Sequence, residues 1–207
     1  MPRISFDNIS TSCNAEIFFW HIAENSKELS ELIADDGLSL AEAEKSFKST
    51  SRQQEWLATR ALLRQTPYSM ETICYHSNGK PFLTDSNRHI SISHTKDLVA
   101  IAIAEQPIGI DIEAVNRNAF AVTGSFLQPH EIEVLHNTQD PKSEALRLWS
   151  AKEAAFKLAP EKVVTLKEIG ITKNANDYII TYPDNTVAEC NSHALEDIIL
   201  SVATPGY

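Results

Sequence analysis

The sequence predicts a mixed fold in which amphipathic helices are followed by runs of antiparallel strand, and three stretches carry that expectation. Residues 141–158 are Ala-rich, hold no internal Gly or Pro, are opened by Asp140-Pro141 and are stopped by Pro160, which together predict one long helix. Leu98–Ala104 and Pro107–Glu113 both alternate with period two and are joined at Glu105-Gln106, which predicts a β-hairpin. In the C-terminal part, Ile169–Thr172, Tyr178–Tyr182, Thr186–Cys190 and Asp197–Ala203 alternate as antiparallel strands, with a turn at Tyr182-Pro-Asp-Asn185. Helix followed by strands therefore recurs in both halves, although the two halves share too little direct similarity to form a sequence repeat.

With 207 residues, 43% of them hydrophobic, the chain can bury a core as one domain or as two small joined subdomains. No apolar run reaches the roughly 18 residues of a membrane span, and Met1-Pro-Arg-Ile-Ser-Phe6 lacks the apolar core of a signal peptide. Cys13, Cys74 and Cys190 are odd in number, far apart and in no zinc-ligand spacing, so they are expected to be reduced, buried thiols of a cytoplasmic protein. The net charge of −10 argues against general nucleic-acid binding. The middle is locally basic: Arg52, Arg60, Arg64, Lys80, Arg88 and Lys96 stand against Glu55, Glu71 and Asp85. An acidic protein with such a stretch can hold a small polyanion.

Glu16–His21 is an apolar run with aromatic residues, hence a strand. Ser26–Ala34 and Ser39–Phe47 read as short helices broken at Asp35-Asp36-Gly37, the second with a Ser39/Glu42 capping box. A helix over about 51–65 buries Trp56, Leu57, Ala61, Leu62 and Leu63 and sets Arg52, Arg60 and Arg64 near one face. Asn78-Gly79-Lys80-Pro81 is a turn that puts a lysine on a rigid corner. His89–Ser93 alternates as a strand ending at Ser93-His94-Thr95, Ala114–Phe126 reads as loop, and Gln128–His136 as a helix opened by Pro129.

Two patterns carry chemistry. In the Pro107–Glu113 strand, Ile108, Ile110 and Ile112 point to one face, while Gly109, Asp111 and Glu113 point to the other. Two carboxylates side by side repel unless a cation lies between them, for which a hard divalent ion such as Mg2+ is the simplest choice; the alternative is a solvated sheet edge. On the long helix, Glu153 and Lys157 are four residues apart and share one face, while Leu148, Ala151, Ala155 and Leu158 form the packing side.

In order and spacing these pieces resemble a 4′-phosphopantetheinyl transferase of the Sfp type. Gly109-Ile-Asp-Ile-Glu113 matches that family's G-(I/V)-D-(I/V)-E motif, and Trp149-Ser-Ala-Lys-Glu-Ala-Ala-Phe-Lys157 matches its (F/W)-(S/T)-x-K-E-(A/S)-x-x-K motif. Asn78-Gly-Lys-Pro81, Ser91-Ile-Ser-His94 and Arg52-Gln-Gln-Glu-Trp-Leu-Ala-Thr-Arg60 fit three weaker ones, so the resemblance covers about residues 50–158. Thr95 and Thr59 depart from the commonest residues at their places, and neither touches the charged set.

The resemblance implies an α+β fold of two similar subdomains related by a pseudo-twofold, here 1–105 and 106–207, with the ligand in the cleft between them. It implies transfer of 4′-phosphopantetheine from coenzyme A to a serine of an apo acyl or peptidyl carrier protein, with release of 3′,5′-ADP. Asp111, Glu113 and Glu153 would surround Mg2+ (or Mn2+), and Glu153 would activate the serine. Lys157 would stabilise the leaving group, giving a catalytic set of Glu153, Lys157 and Asp111. Ser93 and His94 would contact phosphates of coenzyme A, Arg52 and Arg60 would clamp its 3′-phosphate, and Lys80 would lie near its adenosine end. A monomer in the cytoplasm is expected, without nucleic-acid or membrane partners. The competing expectations are a non-catalytic module that binds coenzyme A or a carrier protein, and a Mg2+-dependent phosphohydrolase using the same carboxylates.

Overall fold

A computed structural model describes residues 3–5, 14–34, 39–84, 86–174 and 177–206. Cys13, Asp85 and the expected helix break at Asp35-Asp36-Gly37 lie outside the described residues. The first half runs β1 (Arg3–Ser5), β2 (Glu16–His21), α1 (Ser26–Glu31), α2 (Leu40–Ser46), α3 (Thr50–Arg64), β3 (Ile73–Tyr75), β4 (Pro81–Leu83), β5 (His89–Thr95) and β6 (Leu98–Ala104). The second runs β7 (Gly109–Ala114), α4 (Thr123–Phe126), α5 (Pro129–His136), α6 (Pro141–Leu158), β8 (Gly170–Asn174), β9 (Asp177–Thr181), β10 (Val187–Leu195) and β11 (Ile198–Pro205). The class is α+β. Among the described residues, no helix is long and apolar enough to cross a membrane.

The helix ends follow their sequence signals. Asn25 caps α1 through the N–H groups of Lys27 and Glu28, and Glu42 reaches back to the Ser39 N–H before α2. Asp140 accepts from the Ser143 N–H, and Pro141 occupies the first turn of α6, where its missing N–H costs nothing.

Two antiparallel sheets result, in the orders β1-β2-β6-β5 and β7-β11-β10-β9-β8. Period two on β6 divides the core: Val99, Ile101 and Ile103 pack towards Leu57, Ala61 and Leu62 of α3, whereas Ala100, Ala102 and Ala104 pack towards Ile108, Ile110 and Ile112. The second sheet turns its other side to α6, with Tyr178, Ile180 and Cys190 against Ala151, Ala154 and Ala155. The layers are therefore helix, sheet, sheet, helix.

The expected hairpin between Leu98–Ala104 and Pro107–Glu113 does not form. β6 pairs with β2 on one edge and β5 on the other, so both of its edges are used. β7 crosses to the second sheet and pairs with β11. Strands in stacked sheets alternate just as hairpin partners do, so period two could not separate the cases. The hairpin actually present joins β5 to β6 through Lys96-Asp97.

Three smaller expectations also change. Residues 114–126 are not all loop: a 3-10 turn over Ala119–Val122 leads into α4, each four residues long and too short to show periodicity. Cys190 is fully buried and Cys74 only partly so, since β3 belongs to a two-stranded ribbon with β4 that covers little of it; neither forms a disulfide. Trp56 is likewise only half-buried, because it faces a cleft.

Candidate active site

The β7 strand and α6 meet at unusually short range, because Gly109 presents no side chain to the helix. A Cβ there would lie 2.1 Å from the Ala154 carbonyl oxygen and 2.5 Å from the Leu158 nitrogen. That contact brings the carboxylate face of β7 against the Glu153/Lys157 face of α6. Asp111 and Glu113 are each 5% exposed.

A hydroxyl from the other sheet completes the cluster. Lys157 Nζ donates to Asp111 Oδ1 and to Ser93 Oγ, both at 2.8 Å, and Ser93 Oγ donates to Asp111 Oδ1 at 3.0 Å. Ser93 Oγ also accepts from the Ile112 N–H at 3.1 Å, so its one hydrogen and two lone pairs are all used inside the protein. Ser91 Oγ does the same for the Ile110 N–H at 2.9 Å. The β5 edge is thus stitched to β7 by side-chain hydroxyls in place of a main-chain ladder. Asp111 Oδ2 is buried with no hydrogen-bond partner.

Glu113 is held from α6 and from the turn after β7. Trp149 Nε1 donates to Glu113 Oε1 at 2.7 Å, and Arg117 pairs with the same oxygen while lying 4.6 Å over the Trp149 ring. Burial, and then the neighbouring Asp111 charge, push the Glu113 and Glu153 carboxyls above the usual carboxylate range. A raised affinity for positive charge is what such a group offers.

A cleft of about 520 Å³ opens beside this cluster. Its walls include Phe47, Trp56, Tyr75 and Phe156, and its cationic or potentially cationic groups are Arg52, Lys80, His94 and Lys157. Arg52 Nη1 and His94 Nε2 are 2.7 Å apart, and Glu55 stands 3.2 Å from Arg52 Nη1 and 3.5 Å from His94 Nδ1. Burial, the largest influence, lowers the His94 pKa against the opposing pull of Glu55, so a neutral ring accepts from the guanidinium. Lys80 Nζ donates to the Leu158 carbonyl and so caps the C-terminus of α6 while lining the cleft; burial lowers its pKa. Arg60, 8% exposed, does not line the cleft. It folds back 3.5 Å over the Trp56 ring and donates to the Trp56 carbonyl at 3.1 Å.

Asp111, Glu113, Glu153, Lys157 and Ser93 therefore converge at one end, with Arg52, His94 and Lys80 along the cleft and Arg60 behind its wall. Sequence reasoning did not single out Glu55, Trp149 or Arg117. Trp149 stood in the long motif, but nothing in the pattern named its partner. No set of three or more His, Cys, Asp or Glu side chains among the described residues converges closely enough to cage a metal ion. The chain's own cations occupy two of the carboxylates, Lys157 on Asp111 and Arg117 on Glu113. The donor chemistry still fits a hard divalent cation: all three donors are carboxylates, two have raised proton affinity, and one buried oxygen lacks a partner.

Comparisons with known proteins find relatives over part of the chain. The chain is 29% identical to the 4′-phosphopantetheinyl transferase gsp of Aneurinibacillus migulanus over 131 residues, covering 61% of this chain and 55% of that protein. It is 27% identical to the 4′-phosphopantetheinyl transferase AcpT of Escherichia coli K12 over 161 residues, covering 74% of this chain and 76% of that one. A solved structure of the holo-acyl-carrier-protein synthase AcpS from Neisseria meningitidis aligns with a TM-score of 0.42 at 20% identity, over 49% of this chain and 98% of that chain. Against gsp and the psf-1 transferase of Bacillus pumilus, the match spans 55% and 40% of the relative's length. The family model of the 4′-phosphopantetheinyl transferase superfamily matches residues 107–203, a stretch that includes both long motifs.

Proposed function

We propose that the protein is an enzyme that moves 4′-phosphopantetheine from coenzyme A to a serine hydroxyl of an apo acyl or peptidyl carrier protein, releasing 3′,5′-ADP. The observation that carries this reading is the junction of a cationic cleft with the Asp111–Ser93–Lys157 cluster. A polyanion laid along Arg52, His94 and Lys80 would reach Lys157 with its pyrophosphate. The serine oxygen attacks the phosphorus that carries pantetheine, and the bond from that phosphorus to the bridging oxygen breaks. The electron pair leaves with 3′,5′-ADP.

Glu153 suits the base that takes the serine proton, since burial raises its proton affinity. Lys157 suits the charge that receives the leaving oxygen. Asp111, Glu113 and Glu153 would hold a Mg2+ or Mn2+ ion, which when bound neutralises charge on the pyrophosphate. Ser93, whose hydroxyl is saturated inside the protein, is assigned to holding Asp111 and Lys157 in place of a phosphate.

The same reading divides the chain at Glu105-Gln106, between the end of β6 and the start of β7, into two subdomains that a ligand would bridge. It also takes the protein as a monomer acting in the cytoplasm. The test is the intact mass of an apo carrier protein after incubation with this protein, coenzyme A and Mg2+. A gain of one phosphopantetheine, lost with EDTA and with Glu153→Gln, is expected. Coenzyme A binding with no gain on fatty-acid and peptidyl carriers alike would replace the transferase with a binding module.

A further inference from the structure

Arg117 belongs to neither motif, yet its guanidinium is placed on a carboxylate of the candidate site. A turn closed by the Arg117 N–H and the Ala114 carbonyl at 2.9 Å brings the chain back over the end of β7. The side chain then pairs with Glu113 Oε1 and stacks over Trp149, whose indole N–H donates to that same oxygen. Glu113 is 7% exposed at its side chain and Arg117 44%, so the carboxylate is fixed and the guanidinium has water to move into.

We propose that Arg117 is a placeholder cation, which neutralises Glu113 until a divalent ion takes the carboxylates and which must withdraw when it does. This rests on the metal assignment in the transferase reading. Charge decides the direction. Asp111, Glu113 and Glu153 face two cations of the chain, Lys157 and Arg117, and so carry one uncompensated negative charge. Adding a divalent ion with both cations in place would turn the group net positive in a half-buried site. With Arg117 withdrawn, the group is neutral. Lys157 cannot be the one to leave, because Ser93 and Asp111 hold it and it lines the cleft. The ion pair and the metal are then antagonists, and removing one must strengthen the other by the same coupling.

The experiment is direct Mn2+ binding to the full chain by calorimetry, without coenzyme A or carrier protein. Arg117→Ala and Arg117→Gln are expected to tighten Mn2+ binding roughly three- to ten-fold, while Arg117→Lys stays within about twofold of wild type. Trp149 supplies a second readout: Mn2+ should change the indole fluorescence of the wild type by lifting the guanidinium off the ring, and change it less in Arg117→Ala. Equal or weaker Mn2+ binding in Arg117→Ala and Arg117→Gln overturns the placeholder role, because Arg117 would then be propping Glu113 for the metal. If the wild type itself takes up no Mn2+, the metal assignment fails and the placeholder with it. The two failures are therefore distinguishable.

Discussion

Lys157 Nζ lies 2.8 Å from Asp111 Oδ1 and 2.8 Å from Ser93 Oγ, so a single ammonium on α6 joins a carboxylate of the second sheet to a hydroxyl of the first. The arrangement fixes one carboxylate oxygen with two donors and leaves the other, Oδ2, buried and unsatisfied. An unpaired buried oxygen costs roughly 1–3 kcal/mol, a cost that an added cation would remove.

Ser93→Ala tests that junction. It removes a donor to Asp111, an acceptor for Lys157 and the acceptor for the Ile112 N–H, while Ser93 itself does not line the cleft. The expected result is a fall in kcat of about ten-fold, in line with the roughly 1–2 kcal/mol of a lost charge-assisted bond, with coenzyme A affinity nearly unchanged. Ser93→Thr, which keeps the hydroxyl and suits a strand, should restore most of the rate. A loss that appears in coenzyme A affinity instead would return Ser93 to the role of a phosphate ligand.

The chemistry of this junction was legible in the sequence and its wiring was not. Asp111 and Glu113 share a strand face and Glu153 and Lys157 share a helix face, because period two and a four-residue step are local geometry. Gly109 stood beside the carboxylates in the pattern, and the structure gives its reason, the close approach of α6. The pairing of β7 with β11 in place of β6 depends on which edges are already taken, a property of the whole sheet. Arg117 reaches Glu113 only because the chain turns back at Ala114, and Glu55 matters only because His94 arrives from another element. Long-range partners of this kind leave no period to read.

His94 should make ligand binding take up a proton. Burial lowers its pKa, with Arg52 and Lys157 adding to that effect and Glu55 and Asp111 opposing it, so the free ring is neutral at pH 7. A polyanion in the cleft favours the charged ring and raises the pKa on binding. Coenzyme A affinity should therefore rise as pH falls from about 7 towards 5. Calorimetry in buffers of different ionisation enthalpy should show net proton uptake that His94→Asn removes. In the free protein the sign is opposite: the unfolded chain binds this proton more readily, so stability is present above pH about 6.5 and falls below it. Proton release on binding, or uptake unchanged in His94→Asn, would rule the ring out.

Lys152 and Glu153 are adjacent in one motif and should behave oppositely. Lys152 is wholly buried, donating to Glu131 Oε2 at 2.6 Å and to the Phe126 carbonyl at 2.9 Å, and Glu131 in turn accepts from the Ile171 N–H at 2.9 Å. Lys152→Met strands that carboxylate and should cost roughly 3–5 kcal/mol in urea denaturation. Glu153→Gln removes a carboxyl whose pKa the fold raises by burial and by the Asp111 charge. Such a group loses stability as pH rises from the unfolded pKa through the folded one. The Gln variant should therefore melt higher than wild type at pH 7 and equal to it below about pH 4, while transfer activity is lost. A Glu153→Gln protein that is less stable at pH 7 would make Glu153 a structural residue.

Gly109→Ala should dislocate the site from a distance. Its Cβ would meet the Ala154 carbonyl oxygen at 2.1 Å and the Leu158 nitrogen at 2.5 Å, and both are helix backbone that no rotamer change can move aside. Either β7 or α6 must shift, and each carries half of the charged cluster. Overpacking of this kind costs about 3 kcal/mol or more, so the urea midpoint should fall clearly. Because Glu153 and Lys157 each immediately precede a contacted residue of α6, Ala154 and Leu158, transfer should be lost even where circular dichroism shows a folded protein. Gly124→Ala is the matched control: a Cβ there meets nothing within 4 Å, and stability and transfer should both stay at wild-type levels. If Gly109→Ala is as stable and active as that control, the close packing of α6 on β7 is not what sets the distance between the carboxylates and Lys157.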